Sequence, residues 1–327
     1  MAASRAGYHL RVTDQVSTPR PEVVPPAAGS DRRLSVLIEL ARPRQWVKNG
    51  LVLAAPAAAG VLDEGSYLWR ALVVGASFCL AASGTYCFND AADAAADRHH
   101  PTKRRRPVAS GRISPAGACR LGSVLLVLGI ALGLPFGHWE ASLITALYVV
   151  LTALYTVRLK HLAVVDIAMV TAFFVIRAVA GVVGTDIPLS DWYLIVASFG
   201  ALFVVAGKRT TEMRLESATA HRAALRGYTQ GFLLYLRSVA SGITLLAYCL
   251  WAFEKAEVAG TSVPWFELSI VPFALVILRY ALVLETEDRR GPEEILLEDR
   301  LLQVFAVTWA AVFAAGVYLG HAPPLTG

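Results

Sequence analysis

The residues best suited to chemistry are an amide and three carboxylates that follow a long apolar run, in the stretch FNDAADAAADRHH. Asn89, Asp93 and Asp97 are spaced i, i+4, i+8, and Asp90 lies three residues before Asp93. If a helix continues past Phe88, these four side chains project along one stripe. Clustered carboxylates repel one another unless a cation joins them, and an all-oxygen ligand set favours a hard ion. The spacing therefore predicts a Mg²⁺ site.

A simpler interpretation is that these groups are solvated charges at a helix end, balanced by the arginines and lysines that follow. That interpretation would suffice for a single aspartate. It explains less well why four polar groups gather where an apolar helix ends, because an ionisable group near hydrocarbon costs about 2.5–3.5 kcal/mol. The metal site is therefore the favoured interpretation of the two.

The bulk composition indicates a membrane protein. The chain has 327 residues, of which 56% are hydrophobic and 17% charged, and its mean hydropathy is +0.53. A soluble domain carries roughly 25% charged residues, so the composition predicts a polytopic bundle of helices. Residues 1–30 are rich in proline, serine and charge, and they are expected to form a disordered cytosolic tail. Residues 31–327 would then form one transmembrane catalytic domain.

Nine apolar segments are candidates to cross a bilayer, which takes about 20 mostly apolar residues. The first is the weakest, because it is short and contains Pro56. It is retained because the stretch RRLSVLIELARPRQW leads into it as an amphipathic interfacial helix would. The segments are 46–62, 69–88, 118–136, 140–157, 163–184, 191–207, 233–253, 266–284 and 301–320.

The loops predict the orientation. Lysine and arginine concentrate after the second, fourth, sixth and eighth segments, whereas the opposite loops contain only Lys255, besides Arg70 just inside a segment. The positive-inside rule places the basic loops and the amino terminus in the cytosol. The net charge of +5 follows from this topology and from anionic lipid, so no nucleic-acid partner is expected. Four tryptophans fall at the outer boundaries, as an aromatic belt would: Trp69, Trp139, Trp192 and Trp265.

The motif NDxxDxxxD at the cytosolic end of the second segment resembles the first aspartate-rich motif of the UbiA superfamily of intramembrane prenyltransferases. Similar stretches are ARPRQWVKN before the first segment, RRRPVASGRIS after the aspartates and YTVRLK after the fourth segment. The resemblance covers most of residues 35–320. It implies an all-α membrane bundle of about nine transmembrane helices, with Mg²⁺-pyrophosphate motifs at the cytosolic mouth.

One position departs from the family's pattern. Where the aromatic prenyltransferases carry a second acidic motif, DxxxD, at the end of the sixth helix, this chain has VVAGKRTTEMRLE. Lys208 and Glu212 keep the i, i+4 spacing, but a lysine replaces the first carboxylate and Arg209 follows it. Fixed cations here suit a donor with more phosphate than an isoprenyl pyrophosphate carries, and Arg209 could bind a phosphate through two nitrogens. Ordinary positive-inside anchoring is the simpler alternative, but it explains less well two cations at the family's motif position.

This pattern is similar to that of an actinobacterial branch of the superfamily. The resemblance implies Mg²⁺-dependent transfer of 5-phosphoribose from phosphoribosyl pyrophosphate to a polyprenyl (decaprenyl) phosphate in the cell membrane, for cell-wall arabinan, and leaves homo-oligomerisation open. The alternative is a prenyltransferase that moves an isoprenyl chain from its pyrophosphate to an aromatic acceptor. The loss of the second acidic motif is evidence against this alternative. A transporter is disfavoured because the charges gather at one face and no inverted repeat is evident.

The predicted site combines the motif residues with nearby cations. The predicted metal ligands all carry a side-chain oxygen, and they are Asn89, Asp90, Asp93 and Asp97. The catalytic set is Asp90, Asp93, Asp97, Lys208 and Glu212. The residues assigned to substrate binding are Lys48, Asn89, Arg105, Tyr155, Arg158, Lys160, Asp166, Arg177, Lys208 and Arg209. Arg177 lies deeper than the others, and an equally good interpretation is that it holds the bundle together through an acidic or carbonyl partner.

Overall fold

The computed structural model describes residues 30–136, 139–216, 227–259, 262–286 and 292–319, so residues 1–29 of the predicted tail lie outside the described residues. Within the described ranges the regular secondary structure is entirely helical. The α-helices are α1 (Ser30–Ala41), α2 (Ala54–Ala59), α3 (Gly65–Ala92), α4 (Ala94–Arg98), α5 (Pro115–Ala131), α6 (Trp139–Val157), α7 (Val165–Thr185), α8 (Asp191–Glu216), α9 (Gln230–Ala259), α10 (Trp265–Thr286), α11 (Pro292–Glu298) and α12 (Arg300–Leu319). Short 3₁₀ helices are Pro43–Leu53, Lys103–Arg105, Leu134–Phe136 and Leu159–His161.

Eight of the described helices are long and apolar enough to cross a membrane: α3, α5, α6, α7, α8, α9, α10 and α12. They coincide with the second to ninth predicted segments. Large apolar side chains such as Val127, Leu143 and Val307 stay exposed on their outer faces. Exposed apolar surface on this scale is suited to contact with lipid tails. The chain is therefore a multi-pass membrane protein.

The first predicted segment, 46–62, is not one long helix, and the count of nine is not confirmed. A 3₁₀ helix of 11 residues, Pro43–Leu53, runs into α2, which has 6 residues and is capped at its C-terminus by Gly60 with φ 73°. Pro56 explains why the segment is not a regular α-helix. It has no N–H to donate to the carbonyl of Val52, four residues earlier, and its ring would clash with that carbonyl.

The carbonyl of Val52 lies against α7 at Gly181. A Cβ added to Gly181 would be 2.0 Å from this oxygen, so only glycine permits the approach. The 3₁₀ segment packs against both α3 and α7. There Val52 joins a buried cluster that includes Phe78, Tyr148 and Ala180. The first apolar segment is thus part of the bundle core, although it does not form a long helix.

Successive spanning helices alternate in direction, which brings the functional motifs to one end of the bundle. The C-termini of α3, α6, α8 and α10 and the N-termini of α5, α7, α9 and α12 meet at this end, called the motif end below. Side-by-side packing of α3 with α5, α7 with α8, α8 with α9, and α10 with α12 holds the bundle together. At the opposite end, close to the starts of α3, α6, α8 and α10, lie the predicted belt residues Trp69, Trp139, Trp192 and Trp265.

Candidate active site

The aspartate motif lies at a break between α3 and α4. α3 ends at Ala92, and Asp93 forms the junction with φ −88° and ψ 0°. The helical hydrogen bonds continue across the break: Asp93 N–H donates to the Asn89 carbonyl at 2.9 Å, and Asp97 N–H donates to the Asp93 carbonyl at 2.8 Å. The motif is therefore a helix interrupted at Asp93, and the expected single continuous stripe is broken there.

Two arginines join the buried aspartates of the motif. Arg106 Nη1 lies 2.8 Å from Asp97 Oδ2 and 3.4 Å from Asp90 Oδ1. Arg42 pairs with the same oxygen of Asp90. The carboxylates of Asp90 and Asp97 are both almost fully buried, with 1% of the Asp90 side chain exposed. Opposite charge at this distance stabilises two ionised carboxylates that would otherwise repel each other.

Asp90 keeps one acceptor unused. Its Oδ2 is buried and has no hydrogen-bond partner. Asn89 and Asp93 are half-buried beside it, and Asp93 forms no ion pair within the described ranges. No three carboxylate, histidine or cysteine side chains converge in the described part of the chain. The oxygen donors nevertheless fit Mg²⁺, which commonly takes one or two protein carboxylates and completes its shell with phosphate oxygens and water.

Arg42 reaches Asp90 from the junction between α1 and the 3₁₀ helix, where its backbone has φ 53° and ψ 58°. Its guanidinium also lies over the Tyr86 ring, 4.9 Å from the centroid. α1 is fixed to the same region by Glu39, whose carboxylate accepts two bonds from Arg112 at 2.6 and 2.8 Å. Hydrogen bonding to Glu39 raises the pKa of Arg112, so this tie keeps its charge. Leu34 on α1 is exposed, and the interfacial position expected for this helix stays a prediction.

A second buried charge cluster joins the motif-end termini of α6, α7 and α8. Arg209 Nε and Nη2 donate to the two oxygens of Asp166 at 2.6 and 2.9 Å, and Arg209 Nη1 donates to Glu212 Oε2 at 2.5 Å. The Tyr155 hydroxyl donates to Asp166 Oδ1 at 2.7 Å. Asp166 is fully buried, and Arg209 is 2% exposed. Each guanidinium nitrogen of Arg209, predicted as a phosphate ligand, thus has a protein partner.

The other predicted cations have different settings. Lys208 is half-buried next to Arg209, and Lys160 is half-buried in the α6–α7 connection, where Arg158 is exposed. Arg105 is exposed, and its backbone carbonyl accepts from Arg112 at 2.7 Å. Lys48, in the 3₁₀ segment after α1, donates to Gln45 Oε1 at 2.8 Å. Their contacts with substrate stay predictions.

Arg177 lies deep in the bundle and is held by neutral acceptors. Its Nε donates to Asn49 Oδ1 at 2.7 Å, its Nη1 to the Phe173 carbonyl at 2.5 Å, and its Nη2 to the Tyr148 hydroxyl at 3.0 Å. The guanidinium also lies over the Tyr148 ring at 4.7 Å. These contacts connect the 3₁₀ segment, α6 and α7. They favour the interpretation that Arg177 holds the bundle together through carbonyl partners.

Arg42 and Arg106 are site residues that the sequence did not single out. Both lie in quoted motifs, ARPRQWVKN and RRRPVASGRIS, but the motifs contain several arginines each. From the sequence, Arg105 was favoured over its neighbour Arg106. A run of basic residues gives no sign of which of its members contacts the aspartates. The ranking depends on the 3₁₀ turn Lys103–Arg105, which leaves Arg105 exposed and directs Arg106 to the aspartates.

Comparison with known proteins agrees with this architecture. Residues 50–304 match the profile of the UbiA prenyltransferase family. Decaprenyl-phosphate phosphoribosyltransferase of Mycobacterium tuberculosis strain H37Rv is 42% identical over 294 residues, which cover 87% of this chain and 95% of that protein. The Corynebacterium glutamicum enzyme of the same name is 38% identical over 291 residues, 86% of this chain and 87% of that protein.

The fold is also similar to solved structures. A UbiA homologue from Archaeoglobus fulgidus, solved bound to GPP and Mg²⁺, superposes with a TM-score of 0.64. The superposition covers 87% of this chain and 99% of that protein, at 17% sequence identity. At this identity the likeness establishes the arrangement of the helices.

Proposed function

The chain belongs to the UbiA prenyltransferase family, and we propose that it transfers the 5-phosphoribosyl group of phosphoribosyl pyrophosphate to decaprenyl phosphate. The observation that carries the proposal is the similarity, over most of the chain, to enzymes named for decaprenyl-phosphate phosphoribosyl transfer. Lys208 in place of the first carboxylate of a second acidic motif supports it, because a fixed cation suits a phosphate-rich donor.

The reaction exchanges one bond at the anomeric carbon of the donor. The bond from ribose C1 to the pyrophosphate oxygen breaks while an oxygen of the lipid phosphate bonds to C1, and pyrophosphate leaves. Positive charge develops on the ribose ring and negative charge on the departing group, which is where fixed cations stabilise the transition state. The acceptor is already an anion, so no strong general base is required. In-line displacement inverts C1.

The aspartate motif supplies the metal site in this proposal. Mg²⁺ bound there would neutralise the pyrophosphate as its negative charge grows. Asp90 would hold it through its unpartnered Oδ2, together with Asn89, Asp93 and Asp97. Arg106 already neutralises part of the buried negative charge and so lowers the repulsion between the carboxylates. The Mg²⁺ of the related archaeal structure supports a divalent ion in this family.

The second cluster prepares the donor site. Lys208 supplies a point charge for the 5-phosphate or the pyrophosphate. Arg209 acts through Asp166 and Glu212 and is a positioning residue, because its three nitrogens already bind protein oxygens. Glu212, held by Arg209 and 23% exposed in its side chain, is the carboxylate of this cluster that can face the substrate.

The acceptor lipid would place its phosphate at the motif end and its tail along the bundle. Three ring contacts lead inward from the Asp166 cluster, with centroids 5.5, 5.8 and 5.3 Å apart. The rings belong in order to Tyr155, Phe173, Tyr148 and Phe78. Tyr155 and Phe173 are half-buried and can offer apolar surface to isoprene units, whereas Tyr148 and Phe78 are buried in the core. The basic loops at the motif end support a cytosolic location for this phosphate, by the positive-inside rule.

The test uses the purified full chain in detergent with labelled phosphoribosyl pyrophosphate and decaprenyl phosphate. We expect label in the lipid fraction, lost when Mg²⁺ is removed or when Asp93→Asn is introduced. Asp63→Asn, which alters an exposed carboxylate near the opposite end, should leave the transfer unchanged. A parallel reaction with an isoprenyl pyrophosphate and an aromatic acid tests the alternative. Transfer in that reaction, with none from phosphoribosyl pyrophosphate, would overturn the proposal.

A further inference from the structure

The connection between α6 and α7 contains a backbone conformation that valine rarely adopts. Val164 has φ 67° and ψ −50°, and Val165 N–H donates to the Ala163 carbonyl at 2.8 Å. These features define a γ-turn of the rare, strained kind centred on Val164. A positive φ is unfavourable for a β-branched residue, so neighbouring groups must hold the turn in place. Asp166 follows two residues later.

Tyr228 holds this turn from the other side of the motif end. Its hydroxyl accepts the N–H of Val164 at 2.7 Å, the backbone donor at the centre of the turn. Tyr228 is 6% exposed and its ring stacks on Phe232 at 5.8 Å. Burial raises the pKa of Tyr228, so the phenol stays protonated at neutral pH. Gly227 lies close to the turn, since a Cβ on it would be 2.7 Å from the Ala163 Cβ.

We propose that Tyr228 is a positioning residue for the donor site, which acts by clamping the Val164 turn and so fixing Asp166. The contacts form one series: Tyr228 binds the turn, the turn begins α7, and Asp166 on that first helical turn binds Arg209 and Tyr155. Arg209 in turn holds Glu212. The clamp, formed by Tyr228 and Val164, connects the start of α9 to the start of α7 and sets the geometry of the cluster on α8.

This inference rests on the proposed phosphoribosyl transfer, because the expected effect is on the donor. Tyr228→Phe keeps the ring and removes the acceptor. We expect the KM for phosphoribosyl pyrophosphate to rise or kcat to fall, by about fivefold to tenfold in kcat/KM, as fits the loss of one hydrogen bond. The KM for decaprenyl phosphate should change by less than about twofold, which is a smaller effect than the loss of a typical hydrogen bond causes. Tyr235→Phe, the same change on an exposed tyrosine of α9, should have no effect.

A second variant that relieves the backbone strain distinguishes the clamp from a general structural role of Tyr228. Glycine adopts a positive φ at little steric cost, so Val164→Gly should make the clamp unnecessary. We expect the Tyr228→Phe, Val164→Gly double variant to recover donor kinetics to within about twofold of Val164→Gly alone. If Tyr228→Phe does not fold, the comparison of these two glycine variants still decides, since a further large loss in the double variant would contradict the clamp.

Amide hydrogen exchange separates failure of this inference from failure of the proposed function. The clamp predicts faster exchange around Val164 and Asp166 in Tyr228→Phe than in the unmodified chain. If the unmodified chain transfers no phosphoribose, the proposed function is wrong. The hydrogen-exchange comparison alone then tests the clamp. An active chain whose Tyr228→Phe variant has unchanged donor kinetics and unchanged exchange would overturn the clamp itself.

Discussion

The guanidinium of Arg106 bridges Asp97 and Asp90, with Nη1 2.8 Å from Asp97 Oδ2 and 3.4 Å from Asp90 Oδ1. These two carboxylates lie on different helices, α3 and α4, separated by the break at Asp93. The arginine therefore fixes the bend of the motif and lowers the repulsion within it. A positive group in this place offsets part of the negative charge that the two buried carboxylates bring together.

Arg106→Gln should lower phosphoribosyl transfer by at least about tenfold, because it leaves two buried carboxylates with too little positive charge, a loss that costs several kcal/mol in buried pairs. Arg104→Gln, an exposed arginine two residues away, should change the rate by less than about twofold, since surface charges contribute about 0–1 kcal/mol. Initial rates at saturating substrate measure both. Equal losses in the two variants would mean that the run acts through its total charge.

The Asp166–Arg209 pair should show strong coupling in a double-mutant cycle. Arg209→Gln leaves the buried Asp166 carboxylate without its cation and should destabilise the protein by about 3–5 kcal/mol. Asp166→Asn should cost less, because Arg209 stays paired with Glu212. The double variant should be more stable than the sum of the two losses predicts, because it removes the buried charge of both partners together. Thermal unfolding in detergent, at fixed lipid content, measures the four proteins. Additive losses would show that the pair is not the interaction that holds the cluster.

Arg177→Met should lower the thermal stability while leaving the KM values for both substrates nearly unchanged. The variant removes three hydrogen bonds inside the bundle, each worth about 0.5–1.5 kcal/mol. Arg177→Lys should not restore stability, because an ammonium cannot reproduce the fork of the guanidinium. Arg120→Met, on the exposed face of α5, is the matched control. A selective rise in the KM for decaprenyl phosphate would instead assign Arg177 to lipid-phosphate binding.

Gly181→Ala should destabilise the fold, because its Cβ would meet the Val52 carbonyl at 2.0 Å. Forced overpacking of this kind costs about 1–3 kcal/mol. Gly75→Ala provides the control within α3, since a Cβ there meets no atom within 4 Å. That variant should be neutral or more stable by roughly 0.5–1 kcal/mol, as expected for glycine replaced by alanine inside a helix. Unfolding curves that rank the two variants in the opposite order would contradict the packing of the 3₁₀ segment on α7.

The long helices were predictable because each is a run of about 20 apolar residues, a signal that local sequence carries alone. The first segment was not confirmed as a long helix, because Pro56 prevents regular helix formation. The approach of Val52 to Gly181 shows how this segment packs in the bundle instead. The loss of the second acidic motif was also readable, since Lys208 and Glu212 keep the family spacing.

The partners of the charged residues were less predictable. Arg209 was expected to face substrate phosphate, but Asp166, 43 residues away, takes two of its nitrogens. Arg42 lies 48 residues before Asp90, its ion-pair partner. Such pairings depend on how separate helices pack, and one sequence contains no direct record of them. The unusual φ of Val164 is likewise invisible in sequence, because valine gives no sign of a positive φ.

The most direct measurement is the mass and stoichiometry of the products made by the purified chain from phosphoribosyl pyrophosphate, decaprenyl phosphate and Mg²⁺. Phosphoribosyl transfer predicts a lipid that has gained one 5-phosphoribosyl group, with one pyrophosphate released for each lipid converted, and neither product from Asp93→Asn. Unchanged decaprenyl phosphate, together with isoprenyl transfer from an isoprenyl pyrophosphate to an aromatic acid, would contradict it.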